Sequence, residues 1–469
     1  MSDVRTPPAA GEDTTRLDED DRLRPEFVTQ VLARVDAGDA EGARALVEPL
    51  HPADVADLFE LTPAELRPAL ARAVADLLDA DVFAEMNDWV REELIEELDP
   101  AQVAEIASEL DTDDAVAIIE DLDAADQREV LRAMEPDDRA AIEEALSHPE
   151  ESAGRLMQRE LIAVPEHWTV GQVIDYLRGH DELTTDFWEV FVVDPAHRPV
   201  GACQLSWILR TPRQVGISDV MKREQTLIPV DMDQEEVALR FQKYALISAA
   251  VVDGSGRLIG MITVDDIVHI IQEEAGEDAL LLSGAGEGDI NEPIRDSYVA
   301  RVRWLVANLF TALVASSIIA LFGGAIEQMV ALAVLMPIVA SIGGNAGTQT
   351  MAIAVRALAT NQLTQSNTLR TIRREIVVAL LNGGTVAALL GIGAALVFRN
   401  PELGVVIASA MVINVLVAGL AGVIVPVFLE RLRQDPAVAS SVFVTMVTDS
   451  MGFFAFLGLA VASGLVGMG

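Results

Sequence analysis

Cysteine is nearly absent from this chain. A single thiol, Cys203, stands in 469 residues, so no internal disulfide can form, and the composition fits a reducing compartment. Histidine is sparse as well. The six are scattered, with neither a His-Glu-x-x-His pattern nor paired cysteines, which excludes a zinc-type centre. Lysine is limited to Lys222 and Lys243, the other cationic residues being arginine. No apolar run opens the chain. Residues 1–24 are polar, acidic and proline-containing, so no signal peptide is expected there and the segment reads as a disordered acidic tail. Above all, positive charge is missing from the first half. Of 74 acidic and 33 basic residues, 68 and 24 precede Ser297, so that part carries −44 and the remainder +3. Such a surface excludes nucleic acid and anionic lipid as partners and attracts divalent cations; solubility or a salty habitat accounts for many of these carboxylates equally well.

Residues 25–150 show helical periodicity in short units. His51-Pro52-Ala53-Asp54, Asp99-Pro100-Ala101-Gln102 and Glu135-Pro136-Asp137-Asp138 each set proline and acid where a helix starts, ahead of an apolar stripe. Asp111-Thr112-Asp113-Asp114 and Leu122-Asp123-Ala124-Ala125-Asp126 open further units. Units too short to bury a core alone predict an all-α, superhelical N-terminal domain. Helix capping explains many of their acids.

Strand patterns take over in residues 151–272. Val190-Phe191-Val192-Val193-Asp194 leads through a turn to Pro199-Val200-Gly201-Ala202-Cys203, and about sixty residues later the unit recurs in Ala249-Ala250-Val251-Val252-Asp253 and Leu258-Ile259-Gly260-Met261-Ile262-Thr263. This duplication resembles a tandem pair of α/β CBS domains, opening at Ser152-Ala153-Gly154-Arg155-Leu156-Met157 and at Val220-Met221. The resemblance implies an adenine nucleotide such as ATP held through a Gly-x-x-Ser/Thr-x-x-Asp element. The second copy has it in Gly260, Thr263 and Asp266; the first departs from it with Gly201, Gln204 and Trp207.

Residues 267–277 read as one helix whose end gathers Glu273, Glu274, Glu277 and Asp278. The glycine run 284–288 follows no strand and carries an acid, so it reads as a joint and not a phosphate loop. Residues 273–300 thus form a connecting helix and joint. Within 301–469 five apolar segments, about 304–322, 330–358, 376–397, 403–429 and 438–466, are each long enough to cross a hydrocarbon core of ~30 Å, which needs about 20 residues. Arg301 and Arg303 precede the first span. Arg356, Arg370, Arg373 and Arg374 lie between spans two and three, and Arg431 and Arg433 between four and five, while the opposite side holds only Arg399. The expected orientation is N-terminus cytoplasmic and C-terminus outside.

Two polar features interrupt the apolar half. Asp449 lies deep in span five, where a carboxylate is costly unless it meets water, a cation or a partner. Span two contains Met336-Pro337 and Gly343-Gly344-Asn345-Ala346-Gly347-Thr348-Gln349-Thr350, which predicts a broken, polar helix beside a watery path; close helix packing on small residues is the alternative.

Gly343-Gly344-Asn345-Ala346-Gly347-Thr348-Gln349-Thr350, Ala300-Arg301-Val302-Arg303-Trp304-Leu305 and Thr448-Asp449-Ser450-Met451-Gly452 resemble the MgtE family of magnesium channels and transporters, and the domain order is similar beyond the tail. The resemblance implies a homodimer in a bacterial-type inner membrane, with a pore between subunits lined by spans two and five. Asp449 matches the selectivity carboxylate, with the Thr445 carbonyl and Asn345 beside it, holding Mg²⁺ through its waters. It further implies a Mg²⁺ sensor in which bound ions draw the cytosolic domains together and close the pore. Asp266, Glu274, Glu277 and Asp278 match its acids, Asp113 or Asp114 is the partner on the N-terminal domain, and His269 stands where a carboxylate is expected.

Other readings keep the fold or change the class. A carrier of Co²⁺ or Mn²⁺ shares every feature above, whereas zinc lacks soft ligands near the path. An intramembrane aspartyl protease needs a second Asp on a facing span, and the spans hold only Asp449; the expectation is therefore not an enzyme. A membrane-tethered nucleotide-sensing module leaves the polar residues of span two unexplained.

Overall fold

Proline at the first turn marks where several N-terminal helices begin, since its missing N–H is not needed there and its fixed φ suits a helix. The computed structural model describes residues 16–96, 98–120, 122–180, 183, 187–283, 291–364 and 366–467, with Asp278 and Ala439 described by backbone alone. Among these, the N-terminal region contains α1 (Pro25–Asp36), α2 (Ala40–Val47), α3 (Pro52–Glu60), α4 (Arg67–Ala73), α5 (Ala80–Ala84), α6 (Asp88–Ile95), α7 (Pro100–Glu109), α8 (Thr112–Glu120), α9 (Asp126–Ala133) and α10 (Pro136–Ala145). α1, α3, α7 and α10 start on proline. Acids cap: Asp39 Oδ1 accepts from Gly42 N (3.0 Å) and Asp123 Oδ1 from Asp126 N (3.0 Å). The short helices share one core that includes Leu58, Phe59, Leu70, Ile118 and Ile119, all fully buried. Each such side chain contributes roughly 1.5–3 kcal/mol, which is what helices of this length lack in isolation.

Two three-stranded sheets of identical topology follow. The first contains β1 (Ala163–Pro165), β2 (Glu189–Val193) and β3 (Pro199–Gln204), the second β4 (Ile228–Pro229), β5 (Ser248–Val252) and β6 (Leu258–Thr263), each in that order. In both, the first strand runs parallel and the third antiparallel to the middle one, with a bulge at Val192/Val193 and again at Val251/Val252. The turns repeat too. Asp194 Oδ1 accepts from Ala196 N (2.8 Å) and Arg198 N (2.9 Å), and Asp253 Oδ1 from Ser255 N (2.8 Å) and Arg257 N (2.9 Å). Helices α11 (Val170–Gly179), α12 (Leu205–Arg210), α13 (Ile217–Val220) and α14 (Gln234–Tyr244) complete the two copies. Their opening segments cross over: Gln158 N donates to Met261 O (2.7 Å) and Lys222 N to Ala202 O (2.8 Å). A Cβ on Gly260 would stand 2.7 Å from Met157 Sδ, and one on Gly201 2.7 Å from Met221 Sδ. Both glycines are therefore explained by this crossing.

The chain divides into two compact units between Gln272 and Glu273. α15 (Val264–Ser283) runs through that point and is longer at both ends than the 267–277 helix expected; the glycine joint at 284–288 lies outside the described residues. The second unit continues with α16 (Ile294–Leu321), α17 (Gly323–Gln328), α18 (Val330–Ala359), α19 (Thr368–Val397), α20 (Pro401–Arg431) and α21 (Pro436–Ala462). Five of these, α16 and α18 to α21, are long and apolar enough to cross a membrane. α20 is the most buried of them. α16 begins at Ile294, ahead of Arg301 and Arg303, so residues 294–300 of the expected connecting segment belong to the same helix as the first span.

One expectation is corrected here. α18 is an unbroken helix across Pro337 and the glycines. Gly343 and Gly347 are buried, and added Cβ atoms would stand 2.1 Å from Asn414 Nδ2 and 2.7 Å from Val444 Cγ1. These glycines admit neighbouring spans, and the helix is continuous through them.

Candidate functional site

In the first unit, folding gathers acids that the sequence holds far apart. α8 opens with Thr112, Asp113 and Asp114, and α15 carries Asp266 in its first turn. Asp113 is buried, hydrogen-bonds Asp266, and leaves its Oδ1 buried without a partner. Burial, then the charges of Asp266, Asp114 and Asp111, push the Asp113 carboxyl well above the carboxylate range. Burial, then Asp266 and Asp111, push Asp114 up to about 6, with Arg91 pulling the other way. Burial also raises Asp266, opposed by the Thr263 hydroxyl, which lies 2.8 Å from Asp266 Oδ2. Among the described residues no three of these side chains converge as a ready-made metal ligand set.

Sequence reasoning found Asp113, Asp114 and Asp266 but missed what braces them. Glu160 accepts from Thr112 Oγ1 (2.8 Å), Thr112 N (3.3 Å) and Arg159 N (2.9 Å), fixing the start of α8. Arg155, in the first copy's opening segment, pairs with Glu120 at the end of α8 and donates Nε to His148 O (3.0 Å). Buried Arg91 supplies the nearby cation. A basic residue shortly after Glu150-Glu151, in a half of the chain dominated by acids, was the available signal for Arg155. Glu160, one more acid among many, carried none.

Thr263 and Asp266 face this acidic cluster, and Gly260 is filled by Met157. A cavity of about 490 Å³ lies elsewhere, lined by Glu189, Gln204, Trp207, Lys222, Tyr244 and Ser248. It thus meets the first copy at Gln204 and Trp207, where the Gly-x-x-Ser/Thr-x-x-Asp element is lost. Glu274 and Glu277 lie on α15 within the second unit, and the Asp278 side chain is outside those described. His269 is exposed on the same helix.

In the second unit, α18 has two faces. Gly343, Gly347, Thr350 and Met351 point into the bundle, whereas Ser341, Asn345, Thr348 and Gln349 are exposed at i, i+4, i+7 and i+8. On α21, Thr445 is exposed and Asp449, one turn on, is half-buried. The Thr445 carbonyl accepts from Thr448 Oγ1 (3.1 Å). A row of polar side chains on the outside of a membrane helix is not matched to lipid; it needs water or another polypeptide. Leu281 and Leu282, at the end of α15, pack on the cluster of Met351 and Val355 from α18 with Ala437 and Val444 from α21.

Comparison with known proteins places these features. Residues 336–459 match a family model described as a divalent cation transporter (MgtE), residues 50–151 the MgtE intracellular N domain, and residues 217–273 the CBS domain. Only the second copy of the repeated sheet lies inside that last match. The magnesium transporter MgtE of Thermus thermophilus is 34% identical over 68% of this chain and 71% of its own length. That of Bacillus subtilis is 29% identical over 93% of this chain and 97% of its own. A crystal structure of the cytosolic domain of the Mg²⁺ channel MgtE in complex with ATP is similar over 52% of this chain and 99% of its own, at 27% identity and a TM-score of 0.48.

Proposed function

The chain belongs to the MgtE family of divalent cation transporters, and from that premise we propose that it is a Mg²⁺-selective channel of a bacterial-type inner membrane, closed by intracellular Mg²⁺ bound to its acidic cytosolic half. The reading rests on one observation above the others: the polar rows of α18 and α21, exposed Ser341, Asn345, Thr348 and Gln349 on one, and exposed Thr445 with half-buried Asp449 on the other. In a homodimer each row meets its copy across a watery path, and two Asp449 carboxylates hold one hydrated ion. Mg²⁺ sheds water reluctantly, so the ion is held through its waters by Asp449, the Thr445 carbonyl and Asn345. Two facing carboxylates repel unless a cation stands between them, which selects for charge.

The sensor reading rests on the Asp113, Asp114 and Asp266 cluster. Two unit charges about 4 Å apart at an effective dielectric of about 20 carry about 4 kcal/mol. Moving a two-state equilibrium from 1:99 to 99:1 takes about 5.5 kcal/mol. Relief of such repulsion by one ion is of the same order, so the reading does not require a further acid where His269 stands. Glu274, Glu277 and Asp278 extend the sensor along α15, whose Leu281 and Leu282 carry its movement to α18 and α21. The match to an intracellular N domain and the arginine distribution support a cytoplasmic N-terminus and an outside C-terminus. ATP at the CBS pair is a second reading, favoured by the cavity that presents Trp207, Tyr244 and Lys222; ATP titration monitored by Trp207 fluorescence tests it.

Mg²⁺ flux into proteoliposomes, with Mg²⁺ varied on the cytoplasmic side and Co²⁺ and Mn²⁺ run in parallel, tests the whole. Conductive flux suppressed by cytoplasmic-side Mg²⁺ is expected. Electrically silent flux, or equal passage of Co²⁺ and Mn²⁺, replaces the channel with a carrier of the same fold.

A further inference from the structure

Asn414 is a lone amide in the apolar helix α20 and is completely buried. Its Nδ2 donates to the Val339 carbonyl on α18 (2.9 Å), while its Oδ1 is buried without a partner. Two glycines make room for it. A Cβ on Gly343 of α18 would lie 2.1 Å from Nδ2, and one on Gly452 of α21 would lie 2.7 Å from the same atom. One side chain therefore fills the junction of three spans. Gly343 is two residues before Asn345, and Gly452 is three after Asp449, within a turn of helix in each case. Packing alone does not require an amide there, since a leucine fills such a space without burying polar atoms; an amide inside a span is retained where its hydrogen bond holds something. The criterion that singles out Asp449, a polar residue within an apolar span, finds Asn414 as well.

We propose that Asn414 is a positioning residue for ion selection. Clamped to Val339, it sets the register and separation of α18 and α21, and so the distance between Asn345 and the Asp449 carboxylate. The inference rests on Asp449 holding the ion, and it assigns the selectivity of that site to a residue that touches no ion.

The test is Mg²⁺ flux and the Mg²⁺-over-Co²⁺ flux ratio in proteoliposomes for Asn414→Leu, the double variant Asn414→Ala/Gly343→Ala and Asp449→Asn. All are first checked for monodispersity and thermal midpoint. In the double variant the new methyl occupies part of the space the amide leaves, so packing is largely kept and the hydrogen bond is not. The expected result is folded protein whose Mg²⁺-over-Co²⁺ ratio falls about tenfold, the equivalent of about 1.4 kcal/mol and within the range of an interhelical hydrogen bond. A folded donor-free variant with a ratio within about twofold of the parent overturns the proposal. Asn414→Ser, too short to reach Val339, carries the same two outcomes if the other variants fail to fold. Wild-type flux in Asp449→Asn removes the pore reading itself; lost flux there, with an unchanged ratio in the Asn414 variants, removes only this inference.

Discussion

Asp113 in the first unit has Asp111, Asp114 and Asp266 as neighbours, whereas Asp449 in the second is the one acid of its helix. The cluster is assembled from α8 and α15, elements far apart in sequence, and is held by Glu160 and Arg155. Asp449 is presented by one helix, on the same face as Thr445. A cluster of like charges is an unstable arrangement that a cation or proton settles, so its free energy changes steeply with ion concentration, as a sensor requires. A solitary carboxylate lacks that repulsion, and on the proposed function it meets the passing ion without neighbouring acids to trap it. On that reading, clustering suits regulation and isolation suits conduction.

The sharpest way to break this comparison is to remove a carboxylate from each side. Asp449→Asn keeps shape and hydrogen-bonding capacity but loses the charge, and Mg²⁺ flux is expected to fall at least about 100-fold, equivalent to about 2.8 kcal/mol. Thermal unfolding of the cytosolic half should not change. Flux within a few-fold of the parent would mean that Asp449 is a helix-packing residue. Asp113→Asn should do the reverse: conduction persists, while the cytoplasmic-side Mg²⁺ needed for half-closure rises about tenfold. The same substitution should stabilise the Mg²⁺-free cytosolic half by about 1–2 kcal/mol, a fraction of the ~4 kcal/mol carried by two charges about 4 Å apart at a dielectric of about 20. Destabilisation by Asp113→Asn would show that the cluster is already settled without a cation.

Protons should imitate the ion in one unit only. Folding raises the pKa of Asp113, Asp114 and Asp266, Asp114 to about 6. The folded unit therefore binds more protons than the unfolded chain, and its stability rises as pH falls through about 6 and is lost as pH climbs through that value. In chelator, the cytosolic unfolding midpoint of the detergent-solubilised protein should increase between pH 8 and pH 5.5, and added Mg²⁺ should stabilise it less at the acid end. A midpoint that falls on acidification over that range would contradict the cluster.

Much of this was legible before the fold. Proline and capping acids give the starts of α3, α7 and α10, the duplicated strand-turn-strand pattern gives the antiparallel pair of each sheet but not its short first strand, β1 or β4, and apolar length gives the five spans. What misled was span two. Pro337 and its glycines read as a broken helix because sequence shows the lost donor and the missing side chains, not the neighbours that approach through the gaps; Asn414 and Val444 occupy them. Glu160 escaped notice for a related reason: its importance lies in Thr112, 48 residues away, and nothing local distinguishes it from dozens of other acids. Gly260 was readable as a nucleotide-binding glycine, yet the crossing of the Met157 segment explains it fully.

That crossing supports the smallest and most discriminating prediction, which compares the two copies of the sheet. Gly201→Ala and Gly260→Ala each drive a methyl against a methionine sulfur and a backbone carbonyl, Met221 and Lys222 O for the first, Met157 and Gln158 O for the second. Overpacking of this kind costs typically 1–3 kcal/mol, so both variants should lower the cytosolic unfolding midpoint by similar amounts. Their effects on gating should differ. Gln158 stands two residues before Glu160, which pins the start of α8 beside Asp113, whereas Lys222 has no such neighbour in the acidic cluster. Gly260→Ala should therefore also shift the Mg²⁺ concentration for half-closure, by about two- to threefold, and Gly201→Ala should leave it unchanged. Equal shifts would mean that the cluster responds to general loosening of the paired sheets and not to the position of α8.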